Sequence, residues 1–225
     1  MMPSTNNRLD NNVRSALEYM LRDDFPVQTT ADIIKVFTTD TEFLPKVNEL
    51  DAMVNKHPEL TALGEILFDL MLVNFLSVDA KLKSEDYLES AEWMEIEERT
   101  IERGTELLNI FLFIQEAKDD DVDITLENFL NDFLLVHEDE HQDEFRIYED
   151  LIKNAELANA DLKQIGEVSK SISDESEMKE LFLPIMAFFL SQNESVKATD
   201  LLSFCSWPDF EIPAFKALQG FNSIQ

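Results

Sequence analysis

The sequence contains one pattern with the residue types and spacing of a catalytic metal site, HEDEH at His137–His141. In zinc peptidases with the H-E-x-x-H pattern, two histidines one helical turn apart bind the metal and the glutamate acts as general base. Here acidic residues fill both variable positions, and the remaining histidine, His57, lies far away in the chain. A third ligand would therefore have to be a carboxylate. We expect no peptidase activity and no catalytic residue, and we keep a divalent-metal site on His137 and His141 as an alternative.

A second acidic string, KDDDVDITLENF at Lys118–Phe129, resembles the latter half of an EF-hand calcium loop. That loop needs glycine where Val122 stands and a bidentate glutamate where Asn128 stands, and its first position falls on Ala117. A linker that ends in a helix cap at Asp123 or Thr125 explains the same residues. We therefore predict a helix–helix connection at this string and no cofactor.

The cysteine, tryptophan and glycine residues indicate no further chemistry. Cys205 is the only cysteine, so no intrachain disulfide can form, and its apolar neighbours indicate a core thiol. Trp93 and Trp207 are interpreted as core positions rather than as binding anchors. The four glycines are scattered singly and cannot build a phosphate-binding loop.

One short segment resembles a known family. The nine residues VDAKLKSED, Val78–Asp86, are similar to the acidic helix–loop–helix signature of the tellurite-resistance TerB-like family. That signature has an Asp-Gly pair followed by a hydrophobic residue and an acid, and Ala80 stands here in place of the glycine. We transfer no function from a segment of this length.

The composition predicts an all-α fold. Hydrophobic residues make up 44% of the chain, whereas 4 glycines and 7 prolines provide few turns for an all-β protein. The longest apolar stretches begin at Ile66 and Leu181, and both are shorter than the roughly 18 residues of a membrane-spanning helix, so we expect buried core helices. Helical spacing also predicts a first helix whose buried face carries Val13, Ala16, Leu17, Met20 and Leu21.

Caps and prolines place two of the later helices. Ser84 predicts the start of a long fifth helix that continues past Ile114, with Gly104 as its weak point. Near the end of the chain, Pro208 and Pro213 predict a shortened last helix followed by a tail.

An internal similarity indicates a duplicated helical unit. Without gaps, Leu67–Trp93 and Leu181–Trp207 share 9 of 27 residues. We therefore predict a helical bundle of two pseudo-repeated units of about 110 residues each, residues 1–115 and 116–225, packed as one globular protein.

The charge restricts the possible partners. With 47 acidic and 18 basic residues the net charge is −29, which disfavours direct nucleic-acid binding and anionic membrane surfaces. A polar N-terminal segment and the lone cysteine predict a cytoplasmic location. The acids are densest in Glu116–Asp150, which contains 14 acidic residues and 2 basic residues.

These observations predict a non-enzymatic binding protein with an acidic surface for a basic protein partner, as in inhibitors, immunity proteins, chaperones and nucleic-acid mimics. Two alternatives remain open: a metal-binding helical protein, and a structural or homo-oligomeric helical scaffold. The residues expected to contact the partner are Asp119, Asp120, Asp121, Asp123, Glu138, Asp139, Glu140, Asp143 and Glu144.

Overall fold

A computed structural model describes residues 9–80, 86–137, 140–141 and 146–224, with side chains for all of these except 133–137 and 140–141. The all-α prediction is confirmed, because the regular structure of the described residues is helical apart from one pair of very short strands. The chain divides into two compact units. The first comprises residues up to Leu108 together with Gly220–Ile224, and the second comprises Asn109–Gln219.

The helices and strands are divided between the two units as follows. The first unit contains α1 (Asn11–Leu21), α2 (Val27–Thr38), α3 (Phe43–Lys56), α4 (Gly64–Asn74) and α5 (Ala91–Thr100). The boundary between the units falls within α6 (Leu107–Asp119) and again within α12 (Pro208–Asn222). The second unit contains α7 (Leu126–Leu134), β1 (Leu135–His137), β2 (Glu140–His141), α8 (Glu149–Lys153), α9 (Leu162–Ser169), α10 (Phe182–Leu190) and α11 (Ala198–Leu201).

The first helix forms as its spacing predicts. The Asp10 carboxylate caps α1 by accepting hydrogen bonds from the backbone N–H groups of Asn12 and Val13, at 2.8 and 3.1 Å. Five residues of this helix are buried, and they are the five that period 3.6 selects: Val13, Ala16, Leu17, Met20 and Leu21.

The centre of the first unit is α4, on which α1 and α3 pack. Together with a 3-10 turn before it and a π-helical turn after it, α4 belongs to a helical span of 22 residues, Pro58–Asp79. This span is longer than the apolar stretch in the sequence, and by length and composition alone it could cross a membrane. Core helices of globular proteins meet the same criteria, and 56% of the apolar window is buried inside the structure.

The corresponding helix of the second unit is α10, in which all nine residues are buried. It packs against α8, α9 and the 3-10 segment Ala155–Asn159. The ring of Phe189 lies 6.1 Å from that of Phe129 and 6.5 Å from that of Phe113. The apolar stretch from Leu181 is therefore the core helix that its composition predicts.

The prediction of one long fifth helix is wrong. α5 begins after Ser90, whose hydroxyl accepts a hydrogen bond from the N–H of Trp93 at 3.1 Å, and it ends at Thr100. The backbone then turns at Gly104, which has φ +85°, before α6 begins. A helix cannot continue through that conformation, so the expected weak point is a break between two helices.

The last helix also differs from the prediction. Residues 208–222, predicted as a tail after a shortened helix, form the 15-residue α12. Pro208 occupies the first helical position, where the missing N–H costs nothing, and Pro213 is accommodated inside the helix. Trp207, expected in the core, is 38% exposed, whereas Trp93 is half-buried and stacks on Phe75 at 6.2 Å.

The two apolar stretches that align in the sequence both form buried helices, α4 and α10. Phe75 and Phe189, which are identical in the alignment, are both buried within aromatic clusters. The duplication itself and the division at residues 115 and 116 stay predictions.

Candidate partner-binding site

The acidic linker, residues 119–125, connects α6 to α7 through two capping motifs. Asp121 adopts the left-handed conformation with φ 57°, and the N–H of Val122 donates to the Ala117 carbonyl at 2.8 Å. This bond is the long-range contact of a Schellman cap, which ends α6. The Thr125 hydroxyl accepts from the N–H of Asn128 at 3.1 Å and caps α7. The predicted helix–helix connection is therefore present, with Thr125 as its cap.

All four aspartates of the acidic linker are exposed. Val122, between two of them, is 42% exposed, so an apolar side chain lies within the acidic surface. The turn thus presents carboxylates and one aliphatic side chain to solvent from a backbone fixed at both ends. The aspartates concerned are Asp119, Asp120, Asp121 and Asp123.

The HEDEH string begins three residues after the end of α7. Its described backbone is extended: β1 pairs with β2 in antiparallel fashion, with His137 opposite Glu140 and Leu135 opposite His141. A peptidase site of the H-E-x-x-H type needs both histidines on one helical face, and this backbone does not provide that spacing. The side chains of His137, Glu140 and His141 lie outside the described part of the chain, as do the partner-binding candidates Glu138, Asp139, Asp143 and Glu144.

No metal centre is assembled elsewhere in the described side chains. Across residues 9–80, 86–132 and 146–224, no group of three or more His, Cys, Asp or Glu side chains is arranged to hold an ion. The EF-hand resemblance of the acidic linker therefore corresponds to a capped turn.

A cleft that the sequence did not reveal begins where the acidic linker ends. It has a volume of about 550 Å³ and is bounded by the start of α7, the end of α8, the 3-10 segment Ala155–Asn159 and the end of α10. Its apolar lining consists of Leu126, Leu130, Ile152, Ala155, Ala158 and Phe189. Its polar lining consists of Thr125, Glu127, Asn131, Glu156, Asn159 and Asn193. We call it the α7 cleft.

The polar lining of the α7 cleft is acidic. Glu127 and Glu156 are exposed at it, and none of its described lining residues is lysine, arginine or histidine. On α8, Lys153 pairs with Glu149 at 2.5 Å, and Arg146 pairs with the same carboxylate. Hydrogen bonds from Arg146 and Lys153 lower the pKa of Glu149. The cleft therefore combines an apolar floor with a negatively charged edge.

A separate buried polar cluster lies in the first unit. The carboxylate of Asp69, fully buried in α4, accepts hydrogen bonds from the N–H of Thr105 at 3.0 and 3.1 Å and from its hydroxyl at 2.7 Å. One helical turn earlier, Glu65 accepts from the N–H of Gly104 at 2.6 Å and pairs with Arg103 at 3.3 Å. Burial raises the pKa of Asp69 well above its ordinary value.

This cluster holds the turn between α5 and α6 in place. A Cβ on Gly104 would lie 2.4 Å from Oδ1 of Asp69, so the close approach requires glycine. Both oxygens of the Asp69 carboxylate accept hydrogen bonds from Thr105, so we assign this side chain a structural role. The sequence contained a signal for it, because Asp69 interrupts the apolar stretch ILFDLML.

The lone cysteine is not an activated nucleophile. Cys205 is half-buried, and burial together with the neighbouring Glu211 raises the pKa of its thiol to about 12. Glu211 is buried at the start of α12, where it accepts from the N–H of Trp207 at 2.6 Å. Burial also raises the pKa of Glu211. Glu211 therefore caps the start of α12, and the Cys205 thiol interacts with its carboxyl group.

Comparisons with known proteins add no functional assignment. No protein-family model, curated protein or solved structure matches the chain. Residues 81–85 of the segment similar to the TerB-like signature lie outside the described residues. The functional interpretation therefore rests on the acidic linker and the α7 cleft.

Proposed function

We propose that the chain is a non-enzymatic binding protein whose acidic linker engages a basic protein partner. One observation carries the proposal: four aspartates within five residues project into solvent from a turn that is capped on both sides. The backbone that carries these carboxylates is held by both caps, so a lysine- or arginine-rich surface meets them with little loss of backbone freedom. The net charge of −29 adds long-range attraction that accelerates the encounter.

The position of these acids supports a role beyond solubility. Asp119 is the last residue of α6, and Asp120 and Asp121 follow it, at the negative end of the helix dipole. Negative charge at a helix C-terminus is destabilising, and a solubilising acid could lie anywhere on the surface. Acids in this place are consistent with selection for contact with a cation.

Affinity capture with matched variants tests the proposal. In one variant Asp119, Asp120, Asp121 and Asp123 are changed to asparagine, and in the control Glu49, Glu89, Glu97 and Glu98, exposed in the first unit, are changed to glutamine. Both variants lose the same charge. We expect the asparagine variant alone to lose a basic partner that the wild type retains, and we expect salt to release that partner.

Three results would overturn the proposal. The first is a retained partner that is acidic or neutral, and the second is capture that is equally strong at low and at high salt. Equal loss in both variants would show that overall charge matters and that the acidic linker does not.

A metal-binding role is the second candidate. The observation in its favour is that the hairpin of β1 and β2 brings the backbones of His137 and Glu140 into register. Metal analysis of protein purified without a histidine tag tests it. A stoichiometric ion that is lost in a double His137→Ala and His141→Ala variant supports a site, and protein without metal that zinc does not stabilise removes the candidate.

A further inference from the structure

We infer that the α7 cleft is the place where a basic partner inserts a large apolar side chain, such as leucine, from a lysine- or arginine-rich segment. This inference rests on the proposed function and adds to it the chemistry of the contact. It states that recognition is amphipathic, with the acidic linker attracting the charges and the α7 cleft burying an apolar group.

The first argument is continuity along the chain. Asp123 is followed after one residue by Thr125, which caps α7 and lines the cleft, and then by Leu126 and Glu127, which also line it. The Asn128 side chain donates to the Asp123 carbonyl at 2.8 Å, so the end of the acidic linker is fixed to the first turn of α7. A segment bound on the linker would therefore lie beside the cleft.

The second argument is the composition of the cleft. Leu126, Leu130, Ala158 and Phe189 are buried and form its floor. A volume of about 550 Å³ lies within the range of sites that take small organic groups, roughly 300–1,000 Å³. An apolar side chain that binds there moves from water onto a surface of aliphatic and aromatic carbon atoms, and this transfer is favourable.

The third argument is charge complementarity. Glu127 and Glu156 stand on the polar lining, and no cation is among the described lining residues. An apolar group carried on an acidic or neutral segment would meet these carboxylates without compensation. If lysine or arginine residues flank the apolar group, they would pair with the two carboxylates. Asparagine side chains such as Asn131 and Asn159 could form hydrogen bonds with the backbone of the bound segment.

The exposure of Val122 is a fourth argument for an amphipathic partner. Val122 is the exposed apolar residue in the middle of the acidic linker, with 42% of its surface accessible to solvent. An amphipathic segment that spans linker and cleft would cover it, whereas a purely hydrophilic polycation would leave it in water.

Two peptides and two cleft variants test the inference. One peptide consists of lysines and leucines, and the other has the same length and charge with serine in place of each leucine. Ala155→Phe and Asn159→Phe fill the cleft from half-buried and exposed positions, and Ala52→Phe adds the same ring to an exposed site on α3 as the control. Affinities are measured by fluorescence anisotropy over a range of salt, and circular dichroism and urea unfolding verify that each variant is folded.

We expect the wild type and Ala52→Phe to bind the leucine peptide about tenfold more tightly than the serine peptide, the effect of burying part of one apolar side chain. Filling the cleft should remove that advantage and leave the affinity for the serine peptide unchanged. If the leucine peptide has no advantage in the wild type, or keeps it in both folded cleft variants, the inference is wrong. Salt-sensitive binding of both peptides would in that case leave the proposed function intact, whereas salt-insensitive binding or no binding would contradict both.

Discussion

Replacing the three acids at the end of α6 should make the protein more stable while it weakens binding. The substitutions are Asp119→Asn, Asp120→Asn and Asp121→Asn. Each removes one negative charge from the C-terminal end of the helix, where carbonyl groups already concentrate negative potential. Asparagine also tolerates the left-handed conformation that Asp121 adopts at φ 57°, so the Schellman cap is preserved.

The size of the gain follows from the position of the charges. Removing an unfavourable charge from an exposed helix terminus contributes about 0.3–1 kcal/mol at low ionic strength, so the triple variant should gain about 1–3 kcal/mol in free energy of unfolding. For a chain of 225 residues, each kcal/mol raises Tm by about 2–4 °C. Screening reduces these interactions, because the Debye length falls from about 10 Å at 0.1 M to about 3 Å at 1 M salt.

Urea unfolding followed by circular dichroism, at low and at high salt, measures the effect. The control is Asp209→Asn, which removes an acid from the first turn of α12, where negative charge is favourable. That variant should lose stability. At about 1 M salt, screening is nearly complete over the length of one helical turn. A triple variant that is less stable than the wild type at low salt, or whose gain in stability does not shrink at high salt, would refute the view that these acids lie in an unfavourable place.

Two further predictions concern buried groups outside the acidic linker. Burial raises the pKa of Asp69 above its ordinary 3.8, so the folded chain binds the proton of the Asp69 carboxyl group more tightly than the unfolded chain does. The stability that comes from this proton is present at acid pH and is lost as the pH rises through the pKa of the folded state. Urea unfolding should therefore show a smaller loss of stability between about pH 4 and pH 7 in Asp69→Asn than in the wild type, and identical slopes would contradict this reasoning. The Cys205 thiol, with a pKa of about 12, should react with iodoacetamide at about pH 8 far more slowly in the folded chain than in urea, and Glu211→Gln should speed the folded reaction. Equal rates in folded and unfolded protein would show that the thiol is not suppressed.

The features that sequence reasoning predicted correctly are those set by neighbours in the chain. Helical spacing selected the buried face of α1, and the polar residues before α7 predicted a cap that the structure assigns to Thr125. Composition alone indicated that the stretch from Leu181 would be a buried helix, and every residue of α10 is buried. In each case the information lies within a few residues, which is the range over which periodicity and capping operate.

The features that it missed depend on residues far apart in the sequence. Nothing near Gly104 shows that Asp69, 35 positions earlier, will bind the turn after it and separate α5 from α6. The α7 cleft likewise needs Leu130, Ala158 and Phe189 to meet, and they come from three different elements. The difference at α12 has another cause: proline predicts the end of a helix, although Pro208 stands at the first helical position, where proline is favourable, and Pro213 is accommodated inside.

Two acidic regions differ in where their charges lie relative to the helices that carry them. On α5, Glu95 lies one helical turn from Arg99, and the two side chains form an ion pair at 3.5 Å. In the acidic linker, three acids lie at the wrong end of α6, one of them in a left-handed conformation that glycine would adopt more easily. Three acids at the end of α6 lie close in the chain to an apolar cleft with an acidic edge, and this arrangement supports the proposal of a cationic, partly apolar partner.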